Sequence, residues 1–145
     1  MTAFHELLAV KSGVRPTIVL SEGQDPRVAK AAALASNSNL AKMICVGPRA
    51  AVRKALRPFD VIDDVIIEDP SNSSRMDGYV RNYLKKRASK GMTADKAIDE
   101  LMKPNFFAAA MVDAGDADGT IGGAVYSTPD IVRAALRVIG TATGT

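Results

Sequence analysis

The residues with the clearest chemical potential lie near the end of the chain, between Gly115 and Arg133. There, glycine-rich backbone leads into a predicted helix with Thr128 as N-cap, Pro129 at its first position and Asp130 in its first turn. Such a helix start offers unpaired N–H groups and partial positive charge, which favour an anion. Arg133, one turn further along, could add a full charge and a two-pronged grip. Asp130 could instead occupy the same N–H groups, so an anion site and a plain capped helix are both left open.

A second concentration of charge lies in a long helix predicted over residues 76–89 and just beyond it. It contains two like-charged pairs whose members are four residues apart. Such pairs cost a little stability, and a bound anion would offset that cost. The ordinary alternative is a solvated face, which charge runs usually form. A nucleic-acid platform is disfavoured because Tyr83 is the only aromatic residue among these charges. The cations are Arg81, Lys85, Lys86, Arg87 and Lys90.

Other candidate reactive groups have ordinary structural interpretations. His5 has no Ser or Cys motif beside it, so we interpret it as a surface residue. Cys45 lies within an apolar run, which is typical of a small buried residue rather than a nucleophile. With one cysteine and one histidine in the chain, neither a zinc cluster nor an internal disulfide is expected. The Asp116-x-Asp118-Gly119 sequence lacks the glutamate that an EF-hand calcium loop needs, so no metal is predicted.

The composition is that of an ordinary globular protein. Its 145 residues, 47% apolar and 24% charged, suffice for a hydrophobic core. The net charge of +3 is compatible with a phosphorylated ligand and too small to indicate nucleic acid. Residues 1–11 lack the features of a secretory signal, and no stretch approaches the roughly 18 apolar residues of a membrane span. These features predict a soluble, cytoplasmic protein with neither a membrane nor a nucleic-acid partner.

Short apolar strands alternate with helices along the chain. This alternation predicts an α/β fold, with three α/β/α layers around a mainly parallel sheet, because each parallel neighbour needs a crossover. Ligands collect at the carboxyl ends of such strands. Besides Thr128, the predicted N-caps are Asp25, Thr93 and Asn105. We predict a single domain over residues 1–145, with strands at 17–20, 43–46, 65–67 and 120–121 and helices at 3–11, 27–36, 49–56, 76–89, 94–103, 106–114 and from 129 onward.

Four segments, in order and with regular spacing, carry a family pattern. The first is Thr-Ile-Val-Leu-Ser-Glu-Gly-Gln-Asp-Pro-Arg-Val at 17–28, and the second is Ile-Cys-Val-Gly at 44–47. The third is Leu-Lys-Lys-Arg-Ala-Ser-Lys-Gly-Met-Thr at 84–93. The fourth joins Gly-Asp-Ala-Asp-Gly at 115–119 to Gly-Gly-Ala-Val-Tyr-Ser-Thr-Pro-Asp-Ile-Val-Arg at 122–133, and Val-Ile-Gly-Thr follows at 138–141. Together they resemble the phosphate acetyltransferases (phosphotransacetylases) and their phosphate butyryltransferase relatives.

The resemblance implies reversible transfer of an acetyl group between coenzyme A and inorganic phosphate. It implies that the CoA thiolate attacks acetyl phosphate in a ternary complex, without a covalent acyl-enzyme and without a separate cofactor. It implies that Arg87 and Arg133 bind CoA or its phosphoanionic partner, and that Ser127 and Thr128 line the acyl phosphate site. The family's catalytic aspartate, with a neighbouring serine and arginine, lies near the far end of the full protein. We therefore expect the N-terminal portion of such an enzyme and assign no catalytic residue.

Three positions depart from the family pattern. Tyr126 stands where many members carry His, Gly122 where many carry Ser, and Ala134 where Pro often follows the arginine. Butyryl-specific relatives and the appended domain of some malic enzymes share parts of the pattern, so the acyl chain stays open. An enzyme portion inactive alone, a stand-alone module that binds CoA or acyl phosphate, and a stable domain with no ligand are all compatible with the sequence, as is a homo-oligomer.

Overall fold

The computed structural model describes residues 15–61 and 64–141, and the helix predicted over 3–11 lies outside them. Four parallel strands form one sheet, and their spatial order is β3-β2-β1-β4. This confirms the predicted parallel α/β architecture. In the register, Val19 lies opposite Ile44 on one side and Thr120 on the other. The strands are β1 (Thr17–Leu20), β2 (Lys42–Val46), β3 (Ile66–Glu68) and β4 (Gly119–Ile121).

Helices connect and cover the strands, and short 3-10 turns extend two of the helices. The last helix continues as one π-helical turn over Ala135–Ile139. No helix in the described ranges has both the length and the apolar composition that crossing a bilayer requires. The helices are α1 (Pro26–Asn37), α2 (Arg49–Leu56), α3 (Met76–Arg87), α4 (Ala94–Leu101), α5 (Pro104–Asp113) and α6 (Thr128–Ala134).

Two hydrophobic cores, one on each face of the sheet, confirm the three layers. Alternate residues of a strand point to opposite faces, so β1 sends Leu20 towards α1 and α2 and Val19 towards the other helices. The alanines of α1 let that helix approach its face closely. On the opposite face Phe107 of α5 is fully buried, and its ring meets that of Tyr79 edge-on at 5.2 Å. The two buried side chains of β1, Val19 and Leu20, are thus covered from opposite faces of the sheet.

The predicted helix caps are partly confirmed. The Asp25 carboxylate accepts from the Arg27 N–H at 2.8 Å, and the Thr93 hydroxyl accepts from the Lys96 N–H at 3.3 Å. The prediction that Asn105 caps a helix is wrong, because α5 already begins at Pro104. Asn105 is instead buried, since almost the whole of α5 is enclosed between the sheet and its neighbours.

Two helices are shorter than predicted. Helix α3 ends at Arg87, and a 3-10 turn carries the chain to Gly91, whose φ of +80° reverses it. Helix α4 ends at Leu101 rather than at Lys103, because Lys103 already has the extended backbone from which Pro104 starts α5.

Candidate functional site

The site is built at the carboxyl edge of the sheet, where the loops after β1 and β4 meet. These strands are parallel neighbours, so their carboxyl ends lie side by side. The Ser21 N–H donates to the Ile121 carbonyl at 3.3 Å, which continues the pairing past the ends of the strands. The loop after β1 therefore lies directly against the glycine-rich loop at 122–127.

Glu22 holds the glycine-rich loop in place. Glu22 is only 4% exposed. Its carboxylate accepts hydrogen bonds from four successive backbone N–H groups. Oε1 accepts from Gly123 at 2.8 Å and from Ala124 at 3.3 Å. Oε2 accepts from Tyr126 at 2.7 Å and also from Val125. Burial alone would raise the pKa of this carboxyl, but the four hydrogen bonds outweigh it and the pKa is lowered.

Arg27 fixes the same loop from the helix side. Its guanidinium donates to the Ala124 carbonyl at 2.9 Å. It also grips the Asp25 carboxylate through two bonds of 3.1 and 2.9 Å, which lowers the pKa of Asp25 to about 2. The loop is thus held through its N–H groups by one residue of the β1 loop and through a carbonyl by the first turn of α1.

Ser127, not Thr128, is the N-cap of α6. Its hydroxyl accepts from the Asp130 N–H at 3.3 Å, and its own backbone is extended. The predicted cap was one residue too late, because Thr128 already belongs to the helix and Pro129 follows it at the second position. Of the two predicted site hydroxyls, Ser127 is therefore committed to the helix start, whereas Thr128 lies exposed on the first turn.

Arg133 pairs with Asp130 on the surface of α6. The Nη1–Oδ1 distance is 3.3 Å, and the side chains are 62% and 43% exposed. The Asp130 carboxylate therefore meets the arginine rather than the helix N–H groups that it could have occupied. Exposed pairs of this kind contribute little free energy, so the guanidinium can turn to a stronger anion at small cost.

A cleft of about 370 Å³ opens beside Arg133, between α6 and the segment from Glu100 to Phe106. Three cationic side chains and two carboxylates line it, which leaves a net positive charge. We call it the cationic cleft. Its lining residues are Glu100, Lys103, Asn105, Phe106, Tyr126, Asp130, Arg133 and Arg137.

Arg137 anchors one wall of the cationic cleft. It donates to Glu100 at 2.7 Å and to the Tyr83 hydroxyl at 3.2 Å, and that hydroxyl donates to Glu100 at 2.6 Å. Burial, reinforced by Glu100, raises the pKa of Tyr83 to about 12, so the hydroxyl keeps the proton that it donates. Sequence reasoning missed Arg137, although its position four residues after Arg133 signals a shared helix face.

The other side of the cleft is formed by the start of α5. The Lys103 ammonium lies 5.6 Å from the centre of the Phe106 ring, a favourable cation–π distance. The Asn105 side chain donates to the Asp130 carbonyl at 3.2 Å and so joins α5 to the first turn of α6. Its Oδ1 atom is buried and accepts no hydrogen bond from the described residues.

The basic helix contributes to the fold more than to the cleft. Lys86 forms an ion pair with Asp113 and donates to the carbonyls of Val138 and Ile139 at 2.9 and 3.1 Å, which caps the end of the last helix. Arg87 is the last residue of α3, half-buried, and does not line the cationic cleft. The structure thus brings Arg133 to the cleft and leaves Arg87 outside it. The remaining cations of the run, Arg81, Lys85 and Lys90, are exposed, as on a solvated face.

The described part of the chain contains no grouped metal ligands, and its cysteine is buried. No cluster of three or more His, Cys, Asp or Glu side chains suited to a metal ion occurs there. Cys45 is fully buried in β2, where desolvation raises the pKa of its thiol to about 12. The prediction that Cys45 is a buried apolar residue is confirmed.

Comparison with known proteins identifies the family. The model of the phosphate acetyl/butaryl transferase family matches residues 3–145, and the chain belongs to this family. It is 38% identical over 135 residues to a phosphate acetyltransferase from Acetivibrio thermocellus, covering 93% of this chain and 40% of that protein. It is 31% identical over 144 residues to another from Thermoanaerobacterium thermosaccharolyticum, covering 99% of this chain and 44% of that protein.

Solved structures agree with this assignment. The chain superposes on the EutD phosphotransacetylase from Staphylococcus aureus with a TM-score of 0.89 and 31% identity, over 99% of this chain and 44% of that one. It superposes on a phosphotransacetylase from Streptococcus pyogenes with a TM-score of 0.83 and 34% identity, over 90% of this chain and 40% of that one. The chain therefore spans less than half the length of the relatives that it matches.

Proposed function

We propose that this chain supplies one part of an acyltransferase site, in which an acetyl group moves reversibly between coenzyme A and inorganic phosphate. Membership of the phosphate acetyl/butaryl transferase family supports this reaction class, and the names of the curated relatives favour acetyl as the acyl group. A soluble, cytoplasmic setting, in which CoA and phosphate are both available, is part of the proposal.

The reaction requires an electrophilic carbonyl beside a tightly held phosphate. In the direction of acetyl-CoA formation, the CoA sulfur forms a bond to the acetyl carbon, and the phosphate leaves with the electron pair of the broken C–O bond. The thiol proton must pass to a base, and we assign no residue of this chain to that role. The contribution proposed for the chain is to bind the phosphoanion and to orient it, which lowers the barrier by proximity.

The observation that carries the proposal is the cationic cleft beside Arg133. A phosphoanion needs donors with fixed geometry, and a guanidinium provides two parallel ones. Arg133 is largely exposed and, among the described residues, held only by Asp130, whereas Arg137 is fixed by Glu100 and Tyr83. We assign ligand binding to Arg133, with Lys103 and Arg137 supplying positive potential.

The roles of the other predicted site residues follow from their positions. Thr128 is exposed on the first turn of α6 but does not line the cationic cleft, so its contact with the acyl phosphate rests on the family resemblance alone. Ser127 shapes the same end of the helix as its N-cap. Arg87 lies outside the cleft, so we assign it to a different part of an extended ligand such as CoA.

Binding to this chain tests the assignment directly. Calorimetry with CoA and with acetyl phosphate should detect binding, and Arg133→Ala should weaken it by about tenfold or more, since a charged hydrogen bond contributes about 1.5–3 kcal/mol. Arg53→Ala is the matched control, because it removes an exposed arginine of α2 that does not line the cleft. Unchanged affinity in Arg133→Ala would show that the site is wrongly placed.

Turnover is measured separately, as CoA-dependent consumption of acetyl phosphate with acetyl-CoA detected directly. We expect binding without turnover from this chain. Turnover would contradict the proposal that the proton-accepting base lies outside these 145 residues.

A further inference from the structure

We propose that Glu22 is a positioning residue for the ligand-binding end of α6. Its carboxylate accepts hydrogen bonds from the backbone N–H groups of 123–126. These bonds thereby set the positions of Tyr126, Ser127 and Arg133 relative to the sheet. The inference rests on the proposed function, because the residues that it positions are those assigned to the ligand.

The glycine-rich loop has the shape of an anion site, and the protein itself occupies that site. Four successive N–H groups converge on one point, as they do in the backbone concavities that bind phosphate. Here they converge on a carboxylate that is almost fully buried. A ligand phosphate therefore cannot use these donors while Glu22 holds them, and it must be met by side chains further along, at the cationic cleft.

The charge of Glu22 is balanced mainly by the dipoles of the four backbone N–H groups that it accepts from. Arg27, a cation that the charge of Glu22 reaches, is committed to the Asp25 carboxylate and to the Ala124 carbonyl. The Tyr126 hydroxyl also senses this charge, since its pKa is raised first by burial and then by Glu22. A neutral side chain at position 22 would leave four backbone donors without the anion that they share, which costs more than one ordinary hydrogen bond.

The link from Glu22 to the cleft is short, because it consists of one hydrogen bond followed by consecutive residues of the chain. The last of the four N–H groups belongs to Tyr126, whose side chain lines the cationic cleft. The next residue, Ser127, caps α6, and Arg133 lies on that helix. A shift of the loop would therefore be transmitted to the helix end and to the guanidinium, and a misplacement of about 1 Å can cost a site most of its effect.

The test compares Glu22→Gln, Glu22→Asp and the control Glu68→Gln. The first turns one acceptor oxygen into a donor that faces other donors, and the second keeps the carboxylate on a shorter stem. Glu68 also lies at the carboxyl end of a strand, where it meets Ser73 and Arg75, but it does not line the cleft. Amide NMR spectra and the affinity for CoA are measured for the whole chain.

We expect Glu22→Gln to shift the amide signals of 123–133 and to weaken CoA binding by about tenfold, the size of one lost charged contact. Glu22→Asp should recover part of both effects, and Glu68→Gln should leave both unchanged. The inference is overturned if Glu22→Gln moves only 123–126, or if it moves the helix end without changing the affinity.

The two proposals can fail separately. If the unmodified chain binds neither CoA nor acetyl phosphate, the proposed function fails, and the shifts at 127–133 alone decide whether Glu22 positions the helix. If Glu22→Gln does not fold, the Asp variant decides: displaced signals at 127–133 with reduced affinity support the inference, and signals and affinity like those of the unmodified chain overturn it.

Discussion

Gly23, beside Glu22, shows how closely the β1 loop is packed against β2. A Cβ atom at this position would lie 2.7 Å from the Cys45 Cβ and 3.1 Å from the Val46 carbonyl oxygen. Neither atom is at the end of a flexible side chain, so the backbone itself would have to move. The Gly23 N–H also donates to that carbonyl at 3.0 Å, which fixes the loop at this distance.

We therefore expect Gly23→Ala to lower the free energy of unfolding by about 1–3 kcal/mol, as overpacked cores do. Gly78→Ala is the control with the opposite sign, because the nearest heavy atom to a Cβ there is the Arg81 Nη2 at 3.7 Å. Within α3 an alanine should stabilise by about 0.5–1 kcal/mol. Urea denaturation of both variants measures the difference, and equal stability of the two would contradict the close packing.

Single residues were predictable where the determining contacts are local. Asp25 and Thr93 are helix caps that accept hydrogen bonds from N–H groups two and three residues later in the chain. Likewise, the apolar neighbours of Cys45 in the sequence indicated that it is buried. The role of Glu22 was not predictable, because its partners lie 101 to 104 residues later in the chain. Only the pairing of β1 with β4 brings them together.

The last helix buries Ala134 and Val138 in the hydrophobic core, and polar contacts of Arg137, Asn105 and Lys86 tie it further to its neighbours. Arg137 connects the extended last helix to Glu100 of α4 and to Tyr83 of α3, and both acidic and basic partners are mostly shielded from solvent. Such a network couples the position of one helix to the others.

A double-mutant cycle measures this coupling. We expect Arg137→Met and Glu100→Gln each to destabilise by about 1–3 kcal/mol, because each leaves a partly buried charge without its partner. The double variant should lose less than the sum, with an interaction energy of about 0.5–3 kcal/mol. Arg53→Met with Glu100→Gln is the control pair, which has no shared contact and should be additive. An additive result for Arg137 and Glu100 would refute the coupling.

Element types were predictable from apolar spacing, whereas some boundaries and orientations were not. Each of the six described helices had a counterpart in the sequence pattern, and α2 matches its predicted bounds, Arg49–Leu56. Asn105 was misplaced because a polar residue after Pro104 is typical of a cap, while burial of its side chain depends on the neighbouring α6. Cap and core positions are distinguished by packing, which local sequence does not contain.

At the scale of the whole molecule, the feature that matters most is the edge of the sheet formed by β4. Among the described residues, β4 has a hydrogen-bonded neighbour only on its β1 side. Beside this edge, Ile121 and Val125 are 62% and 67% exposed. An open strand edge with exposed apolar side chains is a template for pairing with another chain. The sequence predicted the parallel sheet, but which strand forms its edge follows from the topology. That residues 1–145 form one domain stays a prediction.

We therefore expect this chain to associate as its concentration rises, through the β4 edge. Ile121→Lys should shift the equilibrium towards monomer, because it places a charge at the apolar side of the edge, as natural edge strands do. Leu34→Lys is the matched control: Leu34 is 58% exposed on α1, away from any strand edge, and its replacement should leave association unchanged. Sedimentation velocity over a range of concentrations distinguishes the three proteins. A chain that stays monomeric throughout, or one in which both lysine variants act alike, would show that the β4 edge is not the contact.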